Sequence, residues 1–167
     1  MRRLTLGAVA WLLMGALAGA ATPDPQLVAP IQKFMDSFNK GDAAGAAATH
    51  SATDDLVIMD EVPPYVWHGA QAFQTWAADL EGDSKKNGIT DEAVKLAAPT
   101  RIETSGEQAY VVVPATYAFK EKGVAKREVA QMTFVLKKGA SGWLIHGWTW
   151  TGPKPKRVAA AAPPAKP

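Results

Sequence analysis

Three long apolar-rich segments, Ala109–Lys120, Ala125–Lys137 and Trp143–Thr151, follow one another with only short polar turns between them. That spacing constrains the fold more than any other feature of the chain. Glu121-Lys122-Gly123 makes the first turn, and Lys138-Gly139 with Ser141-Gly142 makes the second. Connections this short join antiparallel neighbours, so the three segments are expected to form a meander. Ala93–Thr104 reads as a further strand ahead of them. Pro99 interrupts it, which places it at a sheet edge or a bulge, and Ser105-Gly106 turns it into the meander.

The residues before the meander carry helical periodicity. Asp24 is placed to cap a first helix with Pro25 at its first position, and Leu27, Ile31, Phe34 and Phe38 form one apolar stripe. Pro30 cannot donate a backbone hydrogen bond, so a kink there, or a helix that begins there, is expected. Asn39-Lys40-Gly41 ends this helix, and Asp42 caps a short alanine-rich one that ends near His50. An apolar strand then runs into Asp60, turns at Pro63-Pro64, returns through Tyr65-Val66-Trp67 and stops at Gly69. Phe73, Trp76, Ala77 and Leu80 give a third helix its buried face, and Gly82 to Gly88 reads as a charged loop. Helices segregated ahead of an antiparallel sheet define an α+β layer, with the helices on one face of a curved sheet.

The ends of the chain have different compositions. Arg2 and Arg3, the apolar run Leu4–Leu17 and Ala18-Gly19-Ala20 read as a signal peptide over residues 1–20, cleaved before Ala21. Its apolar run is too short to span a bilayer, and nothing later is apolar enough to try. Residues 21–152 form one domain, and the proline-, alanine- and lysine-rich residues 153–167 read as a disordered tail. The expected location is the periplasm or the exterior. The full chain carries 18 basic and 16 acidic groups, but Arg2 and Arg3 belong to the leader and four more cations to the tail. The remaining body is acidic, which argues against a nucleic-acid groove. Without cysteine, thiol chemistry and disulfides are excluded.

Asp60 is the leading candidate for chemistry, because an apolar neighbourhood would raise its pKa toward that of a useful base. The plain alternative is that its carboxylate bonds the backbone amides of the turn. His146, Trp148 and Trp150 share parity on the last strand. On a concave side, His146 could pair with Asp60 and the tryptophans could line a pocket; on a convex side, the tryptophans would make a dimer patch. Tyr117 offers a hydroxyl that needs a partner if buried. Tyr65 and Trp67 flank the hairpin and would rim a pocket mouth. His50, His68 and His146 lie on different elements without metal-ligand spacing, so no metal and no cofactor are expected.

The order helix, helix, hairpin, helix, meander, with "FNKGD", "HGAQAF" and "GWLIHGWTW" at its junctions, resembles the nuclear transport factor 2-like superfamily. Ketosteroid isomerases and SnoaL-like polyketide cyclases share this cystatin-like α+β fold. The resemblance spans residues 25–151 and implies a cone-shaped, curved antiparallel sheet covered by three N-terminal helices. It also implies a ligand pocket on the concave side and a homodimer through the outer face. Asp60 falls where the isomerases keep their general-base aspartate. Phe34 falls at their oxyanion-hole tyrosine, and Met132 at their protonated aspartic acid. Losing one such donor typically costs ~10²–10³ in rate, so replacing both argues against that isomerase chemistry. The leading expectation is a binding protein for a small apolar or aromatic molecule, with Phe34, Phe38, Tyr65, Trp67, Met132, Trp148 and Trp150 as contacts. One alternative is an isomerase, lyase or hydrolase with Asp60 as base and His146 or Tyr117 as acid. Another is an interaction module of the cell envelope, docking through the Trp-bearing sheet face and the basic tail.

Overall fold

The computed structural model describes residues 25–158. The proposed leader, its cleavage site, the Asp24 cap and residues 159–167 lie outside the described part.

Helix α1 (Pro25–Asn39) runs through Pro30 and buries Leu27, Ile31, Phe34 and Met35 along one stripe. Its last residue joins it to the sheet: the Asn39 side-chain amide donates to Val94 O and accepts from Val94 N, both at 2.8 Å. Gly41 takes the left-handed conformation, and Asp42 caps α2 (Ala43–Ala47) by accepting from Gly45 N at 2.8 Å. Strands β1 (Val57–Met59) and β2 (Val66–His68) form the small hairpin around the proline turn. Helix α3 (Ala72–Asn87) then continues through the segment expected to be a loop. Lys85 and Lys86 in its last turn suit the helix dipole, and Glu81 pairs with Lys85 one turn on. Gly82 points at open space, and the stop comes at Gly88, in the left-handed region at φ 67°.

The remaining elements are β3 (Ile89–Leu96), β4 (Arg101–Ser105), β5 (Gln108–Glu121), β6 (Val124–Gly139), β7 (Gly142–Thr151) and β8 (Lys156–Arg157). The single strand expected over 93–104 is two strands separated around Pro99, both paired with β5. The sheet order is β2-β1-β7-β6-β5-β3. The meander β5-β6-β7 is antiparallel as expected, but the sheet is mixed, because β1 pairs with β7 in parallel. Gly147 is required at that contact, since a Cβ there would lie 2.9 Å from Val57 O.

The helices cover one face of the curved, unclosed sheet. Phe34, Phe134, Ile31, Leu56, Ile58, Met132, Leu136 and Ile145 are fully buried between the two layers. The tail departs from expectation near its start: Lys156 and Arg157 pair with Arg127 and Lys126 of β6, so residues 153–158 are not simply a disordered extension. No described helix is long and apolar enough to cross a membrane.

Candidate functional site

Between the helices and the inner sheet face lies a hollow of about 340 Å³. Phe34, Phe38 and Trp76 wall it from the helices, and Met132, Trp148 and Trp150 from the sheet. These rings pack edge-on more than face-on. Trp76 and Trp148 meet at 5.0 Å and 87°, and Phe34 lies edge-on to His50 at 4.8 Å and 83°. Such contacts hold large rings in fixed orientations around the hollow.

Each indole that faces the hollow ends on an acceptor. Trp76 Nε1 donates to Asp60 Oδ2 at 2.7 Å, Trp150 Nε1 to Glu128 Oε1 at 2.8 Å, and Trp148 Nε1 to His50 Nε2 at 3.1 Å. The last bond requires an unprotonated Nε2, so His50 carries its proton on Nδ1, which donates to Ala46 O at 3.0 Å. Burial holds that imidazole neutral and lowers its pKa to about 4.

Asp60 lies just beyond β1, at the mouth of the hairpin, and both readings of it hold in part. Its Oδ1 accepts from the Glu61 amide at 2.7 Å, as a turn residue would, while its other oxygen faces the cavity wall at Trp76. Burial raises its pKa, and the two donated hydrogen bonds only partly oppose the shift. Two more acids join it there. Glu128 on β6 is 2% exposed, and burial raises its pKa as well. Glu61 is exposed as a residue, yet its carboxyl reaches Glu128. Desolvation and the neighbouring Glu128 and Asp60 charges push Glu61 up to about 7. The Glu61 and Glu128 carboxyls bond to each other, and with both pKa values raised the pair is set to share a proton. Gly152 lets Glu128 sit where it does, because a Cβ on Gly152 would come within 1.8 Å of Glu128 Oε1.

Phe34, Phe38, Asp60, Tyr117, Met132, Trp148 and Trp150 all line the hollow. Three of the expected site residues do not. Tyr65 is 56% exposed, on the turn ahead of β2. Trp67 is packed in the core and donates to Asp79 at 2.8 Å. His146 makes no dyad with Asp60; its Nδ1 meets Ser51 Oγ at 3.0 Å and its Nε2 meets Asp55 at 3.1 Å. A β-bulge causes this. Leu136 pairs with Ile145 and Val135 with Gly147, which leaves His146 as an extra residue and breaks the parity it was expected to share with Trp148. Ile145 and Trp148 are both buried as a result. Tyr117 lines the cavity, but its hydroxyl donates to Glu92 at 2.8 Å. Burial and that acid push its pKa well above the usual phenol value, so its proton is committed rather than free.

Glu61, Glu128, Trp76 and His50 complete the site without having been foreseen. Glu128 had a readable signal: it shares strand parity with Met132 and Phe134, both core residues. Among the described residues, no group of three or more acidic or histidine side chains converges closely enough to hold a metal ion.

The curved sheet, the helix layer and the hollow between them define a nuclear transport factor 2-like protein. The SnoaL-like domain model matches residues 28–148, and the chain belongs to that family. No match was found among curated proteins. Solved structures share the fold. A nuclear transport factor 2-like superfamily protein from Salmonella enterica serovar Typhimurium is 17% identical, with TM-score 0.64, over 84% of this chain and 94% of that one. A ketosteroid isomerase-like protein from Erwinia carotovora atroseptica is 22% identical, with TM-score 0.57, over 75% and 92%. A type 2 hexachlorocyclohexane dehydrochlorinase is 14% identical, with TM-score 0.61, over 83% and 94%.

Proposed function

We propose that this chain is a secreted SnoaL-like binding protein that holds a small, largely apolar or aromatic molecule in the hollow between its helices and sheet. The observation that carries this reading is the hollow itself, about 340 Å³ and walled by Phe34, Phe38, Trp76, Met132, Trp148 and Trp150. That size falls in the range of small-molecule sites, ~300–1,000 Å³, and apolar walls with a few placed polar groups are their usual make-up. Apolar contact supplies the affinity, at roughly 25 cal/mol per Å² removed from water. Three tryptophans line the hollow, so a bound ligand changes their emission. The test is a thermal-shift screen of small hydrophobic metabolites, followed by tryptophan fluorescence titration. Binders that raise the melting temperature and shift the emission are expected; a screen with no binder overturns the reading.

A second reading, proton-transfer catalysis, is favoured by the Asp60 carboxyl. It lines the hollow with a raised pKa, beside the proton held between Glu61 and Glu128. Enolate chemistry of the ketosteroid isomerase kind is not part of it, because Phe34 and Met132 offer no hydrogen-bond donor. If the protein is such a catalyst, Asp60→Asn lowers kcat by ~10²–10⁴ while ligand affinity persists. Turnover that survives in Asp60→Asn rules out Asp60 as the base.

The reading also includes a homodimer through the outer sheet face. Tyr110 and Val135 lie directly opposite each other there, 38% and 40% exposed. An N-terminal sequence mass that begins at Ala21, from the periplasmic fraction of an expressing bacterium, tests secretion.

A further inference from the structure

The hollow is apolar in its walls but one-sided in its polar groups. Its lining includes five acids, Asp60, Glu61, Asp83, Glu121 and Glu128, and one base, Lys126. Lys126 is already ion-paired with Glu121. The indole donors of Trp76 and Trp150 are taken by Asp60 and Glu128, and the Tyr117 hydroxyl by Glu92. Apart from Ser84 and Asn87 at the end of α3, the side-chain donors of the lining are thus committed, Trp148 to His50 and the rest to acids. A ligand with only acceptors finds few partners, and an anion meets repulsion from several sides. A purely apolar ligand would leave buried carboxyls facing hydrocarbon, which is costly.

A cation resolves both problems. Ammonium hydrogens can bond to carboxylate oxygens, and indole, phenyl and phenol faces attract positive charge through their ring quadrupoles. Among the described residues the acids do not converge closely enough for a metal ion, so the cation that fits is an ammonium carried on an organic body. Resting on the binding reading above, we propose that the hollow selects a protonated organic amine with an apolar or aromatic body, its ammonium toward Asp60, Glu61 and Glu128 and its body against Trp76, Trp148 and Trp150. Binding then displaces the proton held between Glu61 and Glu128. Asp60 is the other charge acting on that pair; Asp83, Glu121 and Lys126 share the lining, and Glu92 holds the Tyr117 hydroxyl.

The test compares three probes of similar shape on the full chain at pH 8 by isothermal titration calorimetry: 2-phenylethylamine, 2-phenylethanol and 3-phenylpropanoate. The amine is expected to bind at least tenfold tighter than the alcohol, with no detectable binding of the carboxylate. At pH 6.5 its measured enthalpy is expected to vary with the ionisation heat of the buffer, which reports proton release. Glu128→Gln keeps an acceptor for Trp150 and is expected to reduce the amine-over-alcohol preference at least fivefold. Glu103→Gln, an exposed position on β4 outside the lining, is expected to leave the preference unchanged. Equal or tighter binding of the alcohol overturns the cationic class but leaves the binding reading standing. No binding by any of the three overturns the class as well. The binding reading itself falls only if the broad hydrophobic screen is also empty.

Discussion

His50 is a buried base kept neutral, with one ring nitrogen donating to Ala46 and the other accepting from Trp148. Its pKa is about 4 in the fold and 6.5 in the open chain. Between those values the unfolded state binds more protons than the folded state, so stability falls as pH drops from about 6.5 toward 4. The full gap corresponds to about 3 kcal/mol. Asp60, Glu61 and Glu128, whose pKa values burial raises, act in the opposite sense as pH falls. The measurement is therefore a difference: between pH 7 and pH 4 the urea midpoint of His50→Gln is expected to fall less, or rise more, than that of the parent. An unchanged slope in the variant removes His50 as its source. At this scale the sequence was partly legible. Asp60 announced itself through an apolar strand ending at a proline turn. Glu128 was legible by extending the alternation of Met132 and Phe134 back along β6. Glu61 was not, because neighbouring residues in a turn have no fixed parity. Neither was the true position of His146, since nothing local in the sequence marks a bulge that its partner strand imposes.

At the scale of elements, β6 and the end of β7 hold the acids in place through close backbone approach. Gly152 lies against Glu128 Oε1 and the Ala130 side chain. Gly152→Ala forces that carboxylate away from Trp150 or displaces the strand end. Overpacking of this kind costs roughly 1–3 kcal/mol, to be read by chemical denaturation; a variant as stable as the parent shows that Glu128 swings clear freely. The meander was legible because short turns dictate antiparallel neighbours. The run of α3 through Gly82 was not, since a lone glycine on an exposed helix face reads like a loop until the buried Ser84 and the Glu81–Lys85 pair are known. The pairing of β8 with β6 had no apolar signal at all, because Lys156 and Arg157 are both exposed and their bonds are backbone only.

For the molecule as a whole, the inward turn of Trp148 and Trp150 leaves the outer sheet face to Tyr110, Val129 and Val135 among exposed polar residues such as Arg127, Gln131 and Lys137. Arg101 lies over that ring at 5.5 Å. On the proposed dimer, Val135→Glu puts a charge into the centre of the joint and converts the dimer to a monomer in sedimentation velocity, without loss of thermal stability in the monomer. A parent chain that already sediments as a monomer overturns the dimer.

The parallel contact between β1 and β7 joins segments from opposite ends of the domain, Val57 against Gly147. The three residues of β1 carry Asp60 to its post, and they pair with β7 directly, Ile58 opposite Trp148. Distant pairings of this kind form late, since the chain must first give up the freedom of everything in between. The wall of the hollow and its acid are thus completed by one and the same closure. In a refolding experiment, fluorescence of the tryptophan cluster and the ability to bind are expected to recover together, because Trp148 and Trp150 lie on β7 and Trp76 bonds Asp60; binding that lags the fluorescence in a separate phase overturns this.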